Sequence, residues 1–169
     1  TEYQNKLSHS FLYDYKVLVE KAIMAREIEC SVLGNSNPQA SPLGEIVPQH
    51  EFYSYEAKYL DENGAKLVVP VMDLKTEIIT KIKNYALQAF QLLQCSGLAR
   101  VDFFLDKISN EIYLNEINTL PGFTKISMYP KLWEVAGLTY SNLLDRLIQL
   151  AYERHQRKAT LKTTYQPNV

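Results

Sequence analysis

Residues 1–14 carry no clear period, whereas several short segments between residues 16 and 71 show the composition or the two-residue period of β-strands. KVLVEK (16–21) is short and rich in β-branched residues, and every second residue of 27–33 is apolar, so both segments predict strands. GNSNPQASPLG (34–44) is dense in turn residues and predicts a loop or hairpin connection, and EIVP (45–48) predicts a third strand. LVVPV (67–71) contains a proline, which restricts it to an edge strand or a loop.

A three-to-four-residue period predicts two longer helices. The first spans 74–94, with Asp73 available to cap its start and Gly97 after its end. The second spans 140–155, and the polar tail 156–169 is expected to be disordered. The apolar stripe of the second helix consists of Leu143, Leu147 and Ala151.

Between these helices lies a predicted hairpin. LARVDFFLD (98–106) and EIYLNEIN (111–118) are strand-like and are joined by the polar turn KISN (107–110). A loop (119–130) and a short helix near 131–135 follow. The fold class is therefore α+β, with helices packed on a mainly antiparallel sheet.

Composition narrows the class of protein. Lys and Arg number 18 against 19 Asp and Glu, so the chain lacks the basic field typical of proteins that bind nucleic acid or anionic membranes. No apolar run is long enough to span a bilayer, and the first residues lack a secretory signal. Cys30 and Cys95 form no disulfide framework, which favours a reduced, cytoplasmic protein, and the three histidines form no zinc pattern.

The predicted hairpin concentrates the candidate chemistry. Residues two apart on a strand share a face. If the turn pairs Phe104 with Leu114, opposed side chains lie about 5 Å apart on that face. The four side chains brought together in this register are Arg100 opposite Asn118, and Asp102 opposite Glu116.

Two adjacent carboxylates repel each other unless they share a proton or bind a cation. The oxygen ligands of Asp102, Glu116 and Asn118 suit magnesium or manganese, and magnesium commonly completes its shell with phosphate. Arg100 would then neutralise charge on a transferring phosphoryl group. Two alternatives stay open: a surface hairpin with solvated charges, and a hydrolase that uses Asp102 and Glu116 as acid and base without ATP.

The loop after the hairpin adds possible donors. Gly122 allows the backbone to approach a ligand closely, and Ser127 carries a hydroxyl. By itself the pattern Asn-Thr-x-Pro-Gly is also typical of an ordinary turn.

Several motifs in order resemble the D-alanine–D-alanine ligases of the ATP-grasp superfamily. The similarity extends over about residues 16–151. The motifs that carry it are VEK (19–21), REIE (26–29), YEAKY (55–59), ARVDF (99–103) and EINTLPGFTxxS (116–127). The resemblance implies that residues 1–155 form the carboxy-terminal part of an ATP-grasp domain.

The resemblance also implies a reaction. ATP would phosphorylate one D-alanine, and the amine of a second would attack the acyl phosphate to give a dipeptide for peptidoglycan. Asp102, Glu116 and Asn118 would hold two Mg²⁺ or Mn²⁺ ions, with Glu116 bridging them. Arg100 and the backbone N–H of Gly122 would stabilise the transferred phosphate and the tetrahedral intermediate. The carboxylate of the second D-alanine would bind Ser127 and the backbone of Met128.

The nucleotide residues follow from the same resemblance. Glu20, Lys21 and the backbone of Ile23 match an adenine-binding segment, Glu27 a ribose-binding residue, and Phe52 an apolar wall of the adenine pocket. Taken alone, Glu20 and Lys21 are equally an exposed ion pair, and Phe52 a core aromatic.

Two further residues match a loop that closes over the phosphates. They are Lys58 and Tyr59, and the tyrosine favours attack by an amine rather than a hydroxyl. Alternatively, this segment is an exposed aromatic loop.

Ligases of this family also carry an amino-terminal substrate domain and a central segment with a phosphate-binding lysine and a Ser/Gly-rich loop. Neither is recognisable in this chain, so we expect a fragment that does not ligate D-alanine alone. The complete protein is expected to be a cytoplasmic bacterial homodimer. Two alternatives are a D-alanine–D-lactate type of ligase and a non-catalytic module that binds magnesium-nucleotide.

Overall fold

The computed structural model describes residues 1–48, 65–124, 126–162 and 164. Within them, five strands form one antiparallel sheet of order β3-β2-β1-β4-β5. The elements are α1 (Glu2–Ser10), β1 (Ala25–Gly34), β2 (Gln39–Pro48), β3 (Ala65–Val68), α2 (Thr76–Leu92), β4 (Gly97–Asp106), β5 (Ile112–Asn118), α3 (Met128–Val135) and α4 (Tyr140–Ala159). The predicted α+β class and antiparallel sheet are confirmed.

One face of the sheet packs against α2. Alternate residues of β1 and β4 point to this side, and the α2 residues that meet them recur at intervals of four. The buried core on this face includes Ile28, Cys30, Val32, Val101 and Phe103 of the sheet and Ile82, Ala86 and Phe90 of α2.

Helices α3 and α4 cover one end of the opposite face. Leu33, Tyr129, Trp133, Leu143 and Leu150 form a second buried cluster there. The hydroxyl of Tyr129 donates to the carbonyl of Val32 at 3.0 Å, which ties α3 to β1.

Helix α3 also approaches β2 closely. A Cβ built at Gly44 would lie 2.5 Å from Sδ of Met128, so the glycine gives the first residue of α3 room against the sheet. The position of the loop before α3 is therefore coupled to the sheet through this contact.

In the amino-terminal region one prediction was wrong, and one helix was not predicted. Residues 16–21 form no strand, and Leu18 and Val19 are 82% and 57% exposed. Their β-branched composition favours extended backbone, but β1 already pairs with β2 on one side and β4 on the other. Residues 2–10, where no period was found, form α1, which buries no side chain and starts with a capping box between Thr1 and Gln4.

The glycine- and proline-rich segment 34–44 is only partly a connection. Strand β2 begins within it at Gln39 and includes the third predicted strand, 45–48. The polar side chain of Ser41 is accommodated because its Oγ accepts from the backbone N–H of Ser31 at 3.0 Å. The prediction of an edge strand or a loop at 67–71 is confirmed in both parts: Leu67 and Val68 belong to β3, the outermost strand of the described sheet beside β2, and residues 69–71 lie outside any strand.

The helix boundaries also differ in detail. Asp73 does not cap α2, whose N-cap is Lys75 without a side-chain cap bond, because the Asp73 carboxylate accepts from Arg26 at 2.8 Å instead. Helix α3 begins at Met128 rather than near residue 131.

Helix α4 extends to Ala159, four residues into the tail that was expected to be disordered. Its buried side chains are Leu143 and Leu150, whereas Ala151 is exposed, so the predicted stripe was partly wrong. No helix among the described residues is long and apolar enough to cross a membrane.

Candidate functional site

The β4–β5 hairpin brings the four predicted side chains together. Arg100 pairs with Asn118 and Asp102 with Glu116, as predicted. The assumed pairing of Phe104 with Leu114 was wrong, because Leu114 faces Phe103. A β-bulge takes up the difference: Asn115 is the extra residue between the two registers.

The four side chains form one hydrogen-bonded cluster. Arg100 donates to both oxygens of Asp102, from Nε and from Nη2, each at 2.8 Å. Asn118 Nδ2 donates to Asp102 Oδ2 at 2.9 Å and to Glu116 Oε1 at 3.1 Å. The two carboxylates are thus linked through Asn118.

A third carboxylate, which the sequence analysis missed, belongs to the same cluster. Glu29 of β1 lies opposite Asp102, and its Oε2 is 3.1 Å from Arg100 Nε. It is only 4% exposed, which is unusual for a glutamate. Its polar position in the alternating segment 27–33 was visible, but its proximity to Asp102 follows from the pairing of β1 with β4.

Arg100 is the guanidinium at the centre of this cluster. Burial lowers the pKa of Arg100, but the hydrogen bond to Asp102 and the charges of Glu29, Asp102 and Glu116 outweigh it, so the pKa is raised and the guanidinium stays charged. Among the described residues, three carboxylates lie around this one guanidinium, an arrangement that a divalent cation would stabilise.

The donor set fits magnesium chemically. Asp102 and Glu116 supply carboxylate oxygens, and rotation of the Asn118 amide would add a carbonyl oxygen. Among the described residues, no group of three His, Cys, Asp or Glu side chains could hold a metal. A magnesium ion at these oxygens would therefore have to take the rest of its shell from water or phosphate.

A pocket of about 560 Å³ lies beside this cluster. Its lining includes Glu20, Lys21 and Ile23, which are three of the predicted nucleotide residues. The other lining residues are Ala22, Phe104, Tyr113, Leu114 and Asn115. Phe104 lies two positions from Asp102 on the same strand face, and Asn115 precedes Glu116, so the lining of the pocket is continuous along the hairpin with the carboxylate cluster.

Glu27 connects the pocket and the cluster. It pairs with Phe104 across β1 and β4, and it shares the strand face of Glu29 two residues along. Phe104, Tyr113 and Asn115 were not singled out from the sequence. The signal for Phe104 was its two-residue spacing from Asp102, while the place of Asn115 depends on the bulge.

The loop before α3 places Gly122 next to Ser127. A Cβ at Gly122 would lie 3.1 Å from Ser127 Oγ, which accepts from the Thr124 backbone N–H at 2.9 Å. Ser127 is the N-cap of α3 but makes no side-chain cap bond. The first N–H groups of α3, including that of Met128, point toward the helix start, where a carboxylate is favoured.

The side chain of Met128 itself is buried, at 4% exposure. Phe52, Lys58 and Tyr59, the remaining predicted site residues, lie outside the described residues.

Comparisons with known proteins agree with these motifs. A model of the family described as "D-ala D-ala ligase C-terminus" matches residues 1–149. D-alanine–D-alanine ligase A of Salmonella typhimurium is 56% identical over 163 residues, which are 96% of this chain and 44% of that protein.

Two solved structures are similar in fold. The D-alanine–D-alanine ligase from Coxiella burnetii matches with a TM-score of 0.80 and 44% identity, over 94% of this chain and 40% of that one. The Bacillus anthracis enzyme complexed with ATP matches with a TM-score of 0.76 and 29% identity, over 93% of this chain and 48% of that one. The chain thus spans less than half the length of the proteins it matches here.

Proposed function

The chain belongs to the D-alanine–D-alanine ligase C-terminal family, and we propose that the protein containing it uses ATP to join two D-alanines for peptidoglycan synthesis. The observation that carries the proposal is the cluster of Arg100, Asp102, Glu116 and Asn118 beside a pocket lined by the VEK motif. Its carboxylate and amide oxygen donors suit a magnesium-bound nucleotide.

Asp102, Glu116 and Asn118 would hold two Mg²⁺ or Mn²⁺ ions. Glu116 would bridge the two ions, and Asn118 would contribute its carbonyl oxygen. Bound divalent ions supply charge neutralisation on the phosphates during phosphoryl transfer. Supporting this role, Asn118 already lies within hydrogen-bond distance of both carboxylates.

Arg100 would stabilise the phosphoryl group and the tetrahedral intermediate. Its guanidinium stays charged and is held by carboxylates on two strands, β1 and β4. A donor fixed in this way costs little reorganisation when charge develops on the substrate. The backbone N–H of Gly122 would supply a second donor from the loop after β5.

The start of α3 would bind the carboxylate of the second D-alanine. Ser127 offers its hydroxyl, which now contacts Thr124, and Met128 offers its backbone N–H. The partial positive charge of a helix N-terminus favours a carboxylate in this place. The burial of the Met128 side chain against Gly44 would hold this helix end in position.

The pocket beside the cluster would receive adenine. Glu20, Lys21 and Ile23 line it together with Phe104, and Glu27 would accept hydrogen bonds from the ribose hydroxyls. Phe52 would complete the apolar wall, and Lys58 and Tyr59 would close over the phosphates. Tyr59 would favour amine attack, and hence D-alanine as the second substrate.

The remaining parts of the machinery would come from an amino-terminal part of the same protein. The complete protein would be a homodimer and would act in the bacterial cytoplasm. Supporting that location, Cys30 and Cys95 are both free thiols, as is usual in a reducing compartment.

The test is ligation by the complete protein with magnesium, ATP and D-alanine. We expect ADP and D-alanyl-D-alanine in equal amounts, no product without ATP, and a large excess of dipeptide over depsipeptide when D-lactate is added. The isolated 169-residue chain should show no turnover. Peptide or ester hydrolysis without ATP would contradict the proposal.

A further inference from the structure

Glu29 is a buried carboxylate to which the ligase mechanism above assigns no role. It lies in the central strand β1, opposite Asp102, and is 4% exposed. Its Oε2 is 3.1 Å from Nε of Arg100, and the same Nε donates to Asp102 Oδ1 at 2.8 Å. The single Nε–H is donated to Asp102, and Glu29 Oε2 lies within ion-pair distance of the same nitrogen, from the neighbouring strand.

The two proposed roles of the cluster conflict at Asp102. Arg100 occupies both oxygens of this carboxylate, and Asn118 also donates to Oδ2. Asp102 already accepts three of the roughly four hydrogen bonds that a carboxylate can take, so a metal ion would compete with Arg100 and Asn118 for its oxygens. A buried guanidinium that loses its carboxylate is strongly destabilised unless another carboxylate retains it.

We propose that Glu29 is a positioning residue that holds Arg100 through Nε when Asp102 turns to the metal, so that the guanidinium stays directed at the transferring phosphoryl group. The inference rests on the proposed function. Glu29 is not among the proposed metal ligands, which are Asp102, Glu116 and Asn118.

The first test needs no metal. Asp102→Asn removes the charge and one acceptor oxygen of Asp102, and so imitates the loss of its bonds to Arg100 on metal binding. The readout is hydrogen exchange at the Arg100 Nε–H, followed by NMR and assigned with Arg100→Lys. Asp102→Asn alone should accelerate exchange modestly. Combined with Glu29→Gln, it should exchange about tenfold faster than the two single effects multiplied together, because Glu29 would accept the Nε–H that Asp102 no longer accepts.

Glu45→Gln is the matched control for this test. Glu45 also pairs with an arginine, Arg26, at similar exposure, but on the opposite face of the sheet. It should leave exchange at Arg100 unchanged. The proposal is overturned if the double variant exchanges no faster than Asp102→Asn, because Glu29 would then not bind the Arg100 Nε–H.

The second test separates kcat from KM in the complete protein. Glu29→Gln should lower kcat about tenfold or more, since small misplacements of a reacting group are costly. KM for ATP should stay within about twofold. Glu29→Asp, which keeps the charge, should recover part of kcat, and Glu29→Gln should have little further effect in an Arg100→Met background.

The two tests also separate this inference from the proposed function. A protein that makes no dipeptide would contradict the function, while the exchange experiment would still decide whether Glu29 holds Arg100. Normal kcat in Glu29→Gln, or equal losses with and without Arg100, would overturn the positioning role.

Discussion

Two arginine–carboxylate clusters lie on opposite faces of the same sheet. Arg26 on the α2 face binds Glu45 of β2 and Asp73, and Arg100 on the other face binds Asp102 and Glu29. Both arginine side chains are 20% exposed. The exposure of the arginine and the number of its carboxylate partners therefore do not distinguish the two clusters.

The difference lies in what surrounds each arginine. The pKa of Arg26 is raised mainly by its hydrogen bond to Glu45, in a cluster that joins β1 and β2 to the segment before α2. For Arg100 burial is the largest effect and opposes the charge, while the carboxylates of Glu29, Asp102 and Glu116 outweigh it. The first cluster connects structural elements, whereas the second has three carboxylates around one guanidinium beside a pocket, which is typical of functional sites.

The largest expected effect is the loss of ligation when Glu116, a carboxylate of the second cluster, is replaced. Glu116→Gln in the complete protein should abolish ligation, because the proposed bridge between two ions would be lost. The measurement is ADP and dipeptide release at saturating magnesium. Glu77→Gln, an exposed change in the first turn of α2, is the control and should ligate normally. Near-normal turnover by Glu116→Gln would remove the metal assignment.

Replacing the two arginines in parallel compares the clusters directly. Arg100→Met should lower kcat about 10³-fold, as expected for loss of an arginine that stabilises phosphoryl transfer. Arg26→Met should keep kcat within about twofold, because it lies on the other face of the sheet. Steady-state kinetics of both variants provides the check, and equal losses would show that the comparison is mistaken.

For stability we expect the Arg26 cluster to matter more than it does for activity. Arg26→Met leaves the buried Glu45 without its partner and should lower the free energy of unfolding by about 3 kcal/mol. Urea denaturation followed by Trp133 fluorescence measures this effect. Restoring the pair as Arg26→Lys should recover only part of it, because lysine cannot form the bidentate contact. An unchanged midpoint in Arg26→Met would mean that this cluster does not stabilise the fold.

The smallest effect concerns pH. The hydrogen bond from Arg26 lowers the pKa of Asp73 below its ordinary 3.8. Ionised Asp73 therefore stabilises the fold above that value, and the contribution disappears as pH falls through the folded-state pKa. Because Asp73 is exposed, Asp73→Asn should cost less than about 1 kcal/mol at pH 7.

The stability difference between Asp73→Asn and the unchanged protein should shrink as pH falls below 3.8. Denaturation at several pH values checks this expectation. A difference that grows on acidification would contradict the sign.

Much of the hairpin could be predicted from the sequence. The alternation of side chains placed Arg100 and Asp102 on one face, and the pairs with Asn118 and Glu116 were correct. The bulge at Asn115 could not be predicted, because an extra residue leaves no mark in a two-residue pattern. The predicted pairs were therefore right although the register nearer the turn was wrong by one residue.

Elsewhere, predictions from the sequence failed where contacts with distant residues determine the local structure. Residues 16–21 have strand composition but form no strand in the described structure, and α1 has no buried face that would create a period. Asp73 has a side chain that can cap a helix, yet it accepts a hydrogen bond from Arg26, which is 47 residues away in the chain. Such competition depends on contacts between distant segments, which local patterns do not encode.

By itself the sequence determined the α+β class, the order of most elements, the family and the oxygen-donor set of the hairpin, because these depend on local periodicity and on ordered motifs. Only the tertiary structure decided that Glu29 joins the site, that the VEK segment lines a pocket with Phe104, and that Asp73 pairs with Arg26. The physical reason is that strand pairing and burial bring distant residues together, and the charged groups that then surround a side chain determine its role.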